Sequence, residues 1–314
     1  MEKSVLSQIE FFDRLSESYD QMISWPTRIG TEGTFFKKLV NDYKLKSSLD
    51  VACSTGFHVI MLRRLGLDAV GIDVSPRMID KARSNSITCG VTVEYILGDF
   101  STMSKRFSEG FDLITCLGDT VAHLSSRRDV KKLLQEVHKC LNPGGVFVLQ
   151  TRNYDHILKQ QVRFMPPTGS RNGTEETLFF RVLDFHSKSL NFSVVKFRWH
   201  ENRWESSVQT TDIHPCTKKE LEAELKSVGF TKLECYRNFN FEDYDPNGSD
   251  LILVAEKKGV LKSKSASTMR KQKLASQPAP SKGVATRREV STKAQNSVPA
   301  KPKSKVSRVP KRKK

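Results

Sequence analysis

What this sequence lacks narrows its function before any motif is considered. Six cysteines are present, Cys53, Cys89, Cys116, Cys140, Cys216 and Cys235, but none forms a CxxC pair or a Cys/His cluster at zinc spacing. No metal site is expected. Free thiols in apolar segments behave as small hydrophobes, so the expectation is a reducing compartment without disulfides. No apolar run approaches the ~20 residues of a membrane helix. The opening MEKSVLSQIEFFDR carries charge where a secretory signal needs an unbroken apolar stretch. A non-membrane body in the cytoplasm or nucleus is expected.

Acidic residues are nearly absent from one end. Of 52 Lys and Arg and 35 Asp and Glu, Lys257–Lys314 holds nineteen of the former and only Glu289 of the latter, a local net charge of +18. Met1–Glu256 is left at −1, so the formal +17 of the 314-residue chain belongs to a tail and not to the body. Beyond Gly259 large apolar residues also become scarce. That composition cannot bury a core, and residues 259–314 read as a disordered basic tail. Such a segment can hold a polyanion, nucleic acid or acidic protein, through salt-dependent contacts. Its end, PKRKK, is similar to a nuclear import signal.

The remaining chain is long enough for a substantial core. Ser4 to Tyr43 reads as helical, with stripes at Ile9, Phe12 and Leu15 and at Phe35, Phe36, Leu39 and Val40. Then strand candidates alternate with helices: SLDVAC and HVIMLRRLG, DAVGIDV and PRMIDKARSN, VTVEYILGDF, FDLITCLG and DVKKLLQEVHKCL, then GGVFVLQT. This β-α-β rhythm predicts an α/β fold with a parallel sheet covered on both faces. From about 174 to 214 three strand-like runs follow one another without a helix, which predicts an inserted antiparallel β-meander. A helix capped by Thr217 with Glu220 three residues on, and two more strands, complete the domain. The division is residues 1–45, a helical segment; 46–258, the α/β domain; and 259–314, the tail.

The stretch DVACSTGFH, Asp50 to His58, joins the first strand to a helix. Small residues there let the backbone approach a ligand, and the helix N-terminus offers free N–H groups. The second strand ends in Asp73, 23 residues after Asp50, where a carboxylate can accept both ribose hydroxyls. Asp99 ends the third strand, where it could meet an adenine amino group. Dinucleotide binding would ask for GxGxxG; this turn has Ala52, Ser54 and Gly56 at those positions and suits a smaller adenosyl ligand.

With GIDVSPRMIDKAR, LGDF, FDLITCLGD and LNPGG following in order, the stretch from Leu49 to Gln150 resembles the class I S-adenosylmethionine (SAM) methyltransferases. The resemblance implies a Rossmann-like sheet and SAM as cofactor. It implies cofactor contacts from Arg28, Asp50, Ala52, Ser54, Gly56, Asp73, Val74, Met78, Asp99, Phe100, Leu117 and Gly118. That family carries glycine where Ala52 and Ser54 stand. If the backbone needs positive φ at Ser54, the substitution costs ~1 kcal/mol or more.

LGDTVAHL and TRNYDHIL resemble the glycine and sarcosine N-methyltransferase branch more narrowly, and SYDQMISWPTRIGTEGTFF and TTDIHPCTKKEL do so more weakly. This implies an aromatic N-terminal lid with Tyr19, Trp25 and Arg28. It implies Arg152 as anchor for an acceptor carboxylate, with Asn153, His214 and Trp25 lining the acceptor pocket. Tyr19 and Asp119 would orient the amine, and His123 could polarise it or take its proton. Where the branch has Asn and Tyr, this chain has Asp119 and His214, a change that points to a small amine other than glycine itself. The readings set beside a small-molecule N-methyltransferase are methylation of RNA or protein with the tail as anchor, and an inactive SAM-binding scaffold. An oligomer is compatible with either.

Overall fold

A computed structural model describes residues 5–186 and 189–259. The tail and its import-signal-like end lie outside the described residues. The N-terminal region forms β1 (Val5–Leu6), α1 (Gln8–Ile23) and α2 (Trp25–Tyr43). Then come β2 (Ser47–Val51), α3 (Phe57–Arg64), β3 (Asp68–Asp73), α4 (Pro76–Thr88), β4 (Glu94–Leu97) and α5 (Met103–Arg106). The α/β core continues through β5 (Phe111–Cys116), α6 (Arg127–Cys140), β6 (Leu141–Arg152) and α7 (Tyr154–Gln160). A run of strands follows: β7 (Thr168–Asn172), β8 (Glu175–Phe185), β9 (Leu190–His200) and β10 (Arg203–Ile213). The domain closes with α8 (Lys218–Val228), β11 (Phe230–Tyr236) and β12 (Asp250–Lys257).

Seven strands form one sheet in the order β11-β12-β6-β5-β2-β3-β4. Its adjacent pairs are parallel except those made by β12, which runs antiparallel to both β6 and β11. The order reverses between β2 and β5, and open α/β sheets bind ligands at such switch points, beyond the strands' carboxyl ends. The inner strands are apolar on both faces because helices cover both. Leu49, Leu113, Ile114, Val146, Phe147 and Leu149 are fully buried, each worth about 1.5–3 kcal/mol of transfer free energy.

Three helix starts are fixed by serine caps at Ser7, Ser75 and Ser126, whose hydroxyls accept from Glu10, Met78 and Asp129 N–H groups. At α8 the Glu220 side chain accepts from the Thr217 backbone N–H and hydroxyl, and the Thr217 side chain faces the Glu220 backbone N–H, closing the capping box its sequence predicts.

The meander is larger than the three strands expected. β8, β9 and β10 pair antiparallel, β7 adds to β8, and β1 joins β10 in parallel. So the N-terminal segment is not wholly helical: Val5 and Leu6 pair with Thr210 and Thr211 before α1 begins. Two residues are too few for strand periodicity to register. The meander's buried face, with Phe179, Leu183, Phe192 and Val194, packs on Phe11, Leu15 and Met22 of α1 and Tyr154 of α7. α7 itself was not anticipated; Asn153 caps it. No described helix is long and apolar enough to cross a membrane.

Candidate active site

A cleft of about 520 Å³ opens at the carboxyl ends of β2, β3, β4 and β5, beneath α1. Pockets for small ligands span roughly 300–1,000 Å³. Eleven of the expected residues line it: Tyr19, Ala52, Ser54, Asp73, Val74, Met78, Asp99, Phe100, Leu117, Gly118 and His123.

The loop after β2 has positive φ at three alternating positions, Ala52 at 59°, Ser54 at 52° and Gly56 at 86°. The backbone therefore demands the left-handed region at Ser54, and also at Ala52. Each non-glycine costs roughly 1–2 kcal/mol there. Local bonds offset that cost at Ser54. Its N–H donates to Asp73 Oδ2 at 2.8 Å, and its hydroxyl lies 3.4 Å from Met78 Sδ. Glycine is kept at position 56, where an added Cβ would fall 2.3 Å from the Tyr95 hydroxyl oxygen.

Asp73 is buried, and burial raises its carboxyl to about 6, against N–H donors from Ser75 and Ser54 that lower it. Asp99, at the end of β4, is exposed and accepts the Ser101 N–H. The donor set fits an adenosyl ligand. Two carboxylates end adjacent strands, with Val74, Met78, Phe100 and Leu117 as apolar walls around them and a close-approach loop on the other side.

α1 is fastened over this cleft by two aspartates that motif reading missed. Asp13 accepts from the Ser75 hydroxyl at 2.5 Å and the Arg77 N–H at 3.3 Å. Asp20 accepts from the Thr55 hydroxyl at 2.5 Å, from Asn85 and from Trp25 Nε1. The lid thus bonds directly to the cofactor loop and to the α4 N-terminus. Tyr19 sits between them, its hydroxyl 3.9 Å from where a Cβ on Gly118 would lie. Burial raises the Tyr19 hydroxyl, partly opposed by Arg28 and by a bond with Ser54.

Gln8, also missed, sets His123. Its Nε2 donates to the Asp212 carbonyl at 2.6 Å, which leaves Oε1 to take the His123 Nδ1 proton at 2.8 Å. The imidazole packs against Phe12 and Phe192, and burial lowers it to about 4. It is a neutral ring with its proton on Nδ1, and its Nε2 has no protein partner among the described residues. Nothing in the sequence near position 8 signals this contact across 115 residues.

Other expected residues lie away from the cleft. Asp50 is buried behind the loop, accepting from Thr115 at 2.6 Å with His58 at 3.8 Å. Arg28 is bound to Glu32 at 2.6 Å and lies 3.1 Å from His58 Nε2, over the Phe57 ring. Burial works to raise Glu32, but His58 and Arg28 together hold it low. Trp25 packs edge-on against Phe57 in a separate groove. Asn153 is fully buried and pins the 245–248 turn by donating to the Asp245, Pro246 and Gly248 carbonyls. His214 donates its backbone N–H to Ala122, beside His123, without lining the cleft.

Asp119 and Arg152 meet each other. Asp119, at φ 75°, accepts from Thr151 Oγ1 at 2.6 Å, Tyr154 hydroxyl at 2.8 Å and the Arg152 N–H at 3.1 Å. Arg152 Nε lies 3.2 Å from Asp119 Oδ2, and its guanidinium sits over Phe192 at 5.9 Å. Orientation of an amine by Asp119 is therefore disfavoured: its carboxylate already accepts from three donors.

The comparisons agree with this geometry. Residues 49–145 match a methyltransferase domain family. A glycine/sarcosine N-methyltransferase from Aphanothece halophytica is 28% identical over 80% of this chain and 91% of its own. One from Halorhodospira halochloris is 28% identical over 79% and 89%. A SAM-dependent methyltransferase structure from Clostridium acetobutylicum superimposes with a TM-score of 0.66 at 18% identity, covering 79% of this chain and 99% of that one. A sugar N-methyltransferase from Streptoalloteichus does so with a TM-score of 0.61 at 16% identity, over 82% and 96%. With five motifs in order, the seven-stranded sheet and the acid-ended cleft, these likenesses support a class I S-adenosylmethionine-dependent methyltransferase.

Proposed function

We propose that the chain N-methylates a small amine or amino-acid-like acceptor. The observation that carries this reading is His123: a neutral imidazole, locked by Gln8, with its bare Nε2 in the cleft that Tyr19 and Gly118 also line. An amine must be neutral to attack, and an acceptor nitrogen beside it orients the N–H, while the released proton leaves to solvent. The glycine/sarcosine N-methyltransferases among the similar proteins support the same class of acceptor.

When bound, SAM supplies a methyl group activated by its sulfonium. The residues that would hold it are Asp73 at the ribose, Asp99 at the adenine edge and the loop from Ala52 to Gly56. The protein's task is to desolvate and align, which can contribute several kcal/mol without a dedicated strong base. α1, fastened by Asp13 and Asp20, keeps water out. Tyr19 and His123 orient the amine.

Transfer of a labelled methyl group to glycine, sarcosine, dimethylglycine and simple amines tests the reading, with bulk RNA and a basic protein in parallel. A methylated small amine is the expected product. Transfer to RNA or protein alone would overturn the proposal.

A further inference from the structure

We propose that Arg181, on the meander, is the cation that binds a single carboxylate of the methyl acceptor, and so sets its specificity. This rests on the N-methyltransferase reading above. On β8, Phe179, Arg181 and Leu183 share one face, and the flanking Phe179 and Leu183 are fully buried against α1. Arg181 therefore emerges from the buried side of the meander. Leu183 pairs across the ladder with Phe192, which makes Arg181 a diagonal neighbour of that ring, within ~7–8 Å along the sheet. Around the same Phe192 ring lie His123 at 5.8 Å and the Arg152 guanidinium at 5.9 Å. β6 and the meander thus bring Arg152 and Arg181 toward one aromatic ring, and Arg181 is within electrostatic reach of Arg152 and of Tyr19, which lines the cleft.

The two arginines differ in what balances them. Arg152 has Asp119 at 3.2 Å. Arg181 has no carboxylate partner among the described residues. Its Nη2 donates to the Pro166 carbonyl at 2.8 Å; its Nε, like that of Arg152, is buried without a hydrogen-bond acceptor, so the two differ in the carboxylate beside Arg152 alone. Asp250, which acts on it from further away, is already bonded by Gln150 and Ser249. Burial and the Arg152 charge lower Arg181 to about 10. A half-buried cation whose Nε–H lacks an acceptor is costly unless an anion completes it. With Arg152 paired to Asp119, one uncompensated positive charge remains within electrostatic reach of Tyr19 at the cleft wall. It matches one carboxylate, as in an α-amino acid, and disfavours a plain amine or an amide.

The test compares sarcosine with sarcosinamide in the full-length chain and in Arg181→Gln and Arg181→Lys. Arg181→Gln should raise the KM for the acid roughly tenfold or more and leave that for the amide and the SAM Kd unchanged. Lysine should restore part of the loss. An equal effect on acid and amide, or none, would overturn the assignment. Acetate separates this from failure of the functional reading, because no turnover is needed: it should raise the Tm of the wild type more than acetamide does, and not that of Arg181→Gln. No acetate effect in the wild type would also overturn the assignment. Arg181→Met should raise the Tm without ligand, because it removes an unbalanced charge; a lower Tm would mark a structural arginine instead.

Discussion

Gln8 holds His123 in one tautomer: its amide donates to the Asp212 carbonyl from one end and accepts the imidazole Nδ1 proton, at 2.8 Å, from the other. Turning the amide would lose both bonds, so Nε2 stays bare. Gln8→Ala should therefore lower kcat about tenfold, less than the ~10²-fold or more that losing a proton-transfer group itself costs, with the SAM Kd unchanged. Steady-state kinetics with a SAM titration decide it. An unaltered kcat would remove the role given to this pair. Because burial brings His123 to about 4, it is neutral throughout ordinary assay pH. No kinetic inflection near its usual value should then disappear in His123→Gln.

Asp73, proposed above to hold the ribose, should give a pH dependence to SAM binding. Burial raises its carboxyl to about 6. Below the unfolded carboxylate value both folded and unfolded states are protonated and the group is indifferent. Between the unfolded value and about 6 the unfolded state is ionised while the fold keeps the proton, so stability is lost across that window and the loss is complete above about 6. A diol that donates two hydrogen bonds favours the ionised form. SAM should bind more tightly as pH rises from 5 to 8, and Asp73→Asn should flatten the curve while weakening binding. Calorimetric Kd values at several pH values check this; a pH-independent wild type would contradict it.

Much of this was legible in the sequence, for local reasons. Continuous apolar strands, serine caps and the small-residue loop each carry a short-range signal, so the α/β sheet and the residues its strand ends bring to the cleft could be read directly. The pairing of Asp119 with Arg152 could not, because it depends on two loops meeting. Read singly, each was an acceptor ligand; together they are an ion pair inside a bonded cluster. Asn153 was misjudged for the same reason: its partners lie more than ninety residues away. Arg181 interrupts an apolar face, and only the ladder register brings it near Phe192.

The Asp119 cluster should be structural first. Asp119→Ala removes the acceptor for Thr151, Tyr154 and the Arg152 N–H and leaves a partly buried guanidinium unpaired. A loss of about 3 kcal/mol is expected, read by urea denaturation. Asp119→Asn should lose less, because its carbonyl oxygen still accepts. Equal losses would mean the charge of Asp119 accounts for the whole effect.

The basic tail should be dispensable for transfer to a small amine. Both sheets, the lid and the cleft lie before residue 260. A chain ending at Gly259 should keep kcat and KM within about twofold, while any polyanion affinity, with its salt dependence, is lost. Loss of turnover on truncation would instead favour a macromolecular acceptor held by the tail.

The most direct measurement is a calorimetric titration of the full-length chain with SAM, beside Ser54→Gly. Ser54 carries a positive φ that glycine would relax, but it also carries the hydroxyl that meets Met78 Sδ on α4, and the two should nearly cancel. Tight binding by the unaltered chain, changed little by glycine, is the result expected of a working cofactor site. No binding by the unaltered chain, restored only by Ser54→Gly, would contradict it and make the domain an inactive scaffold.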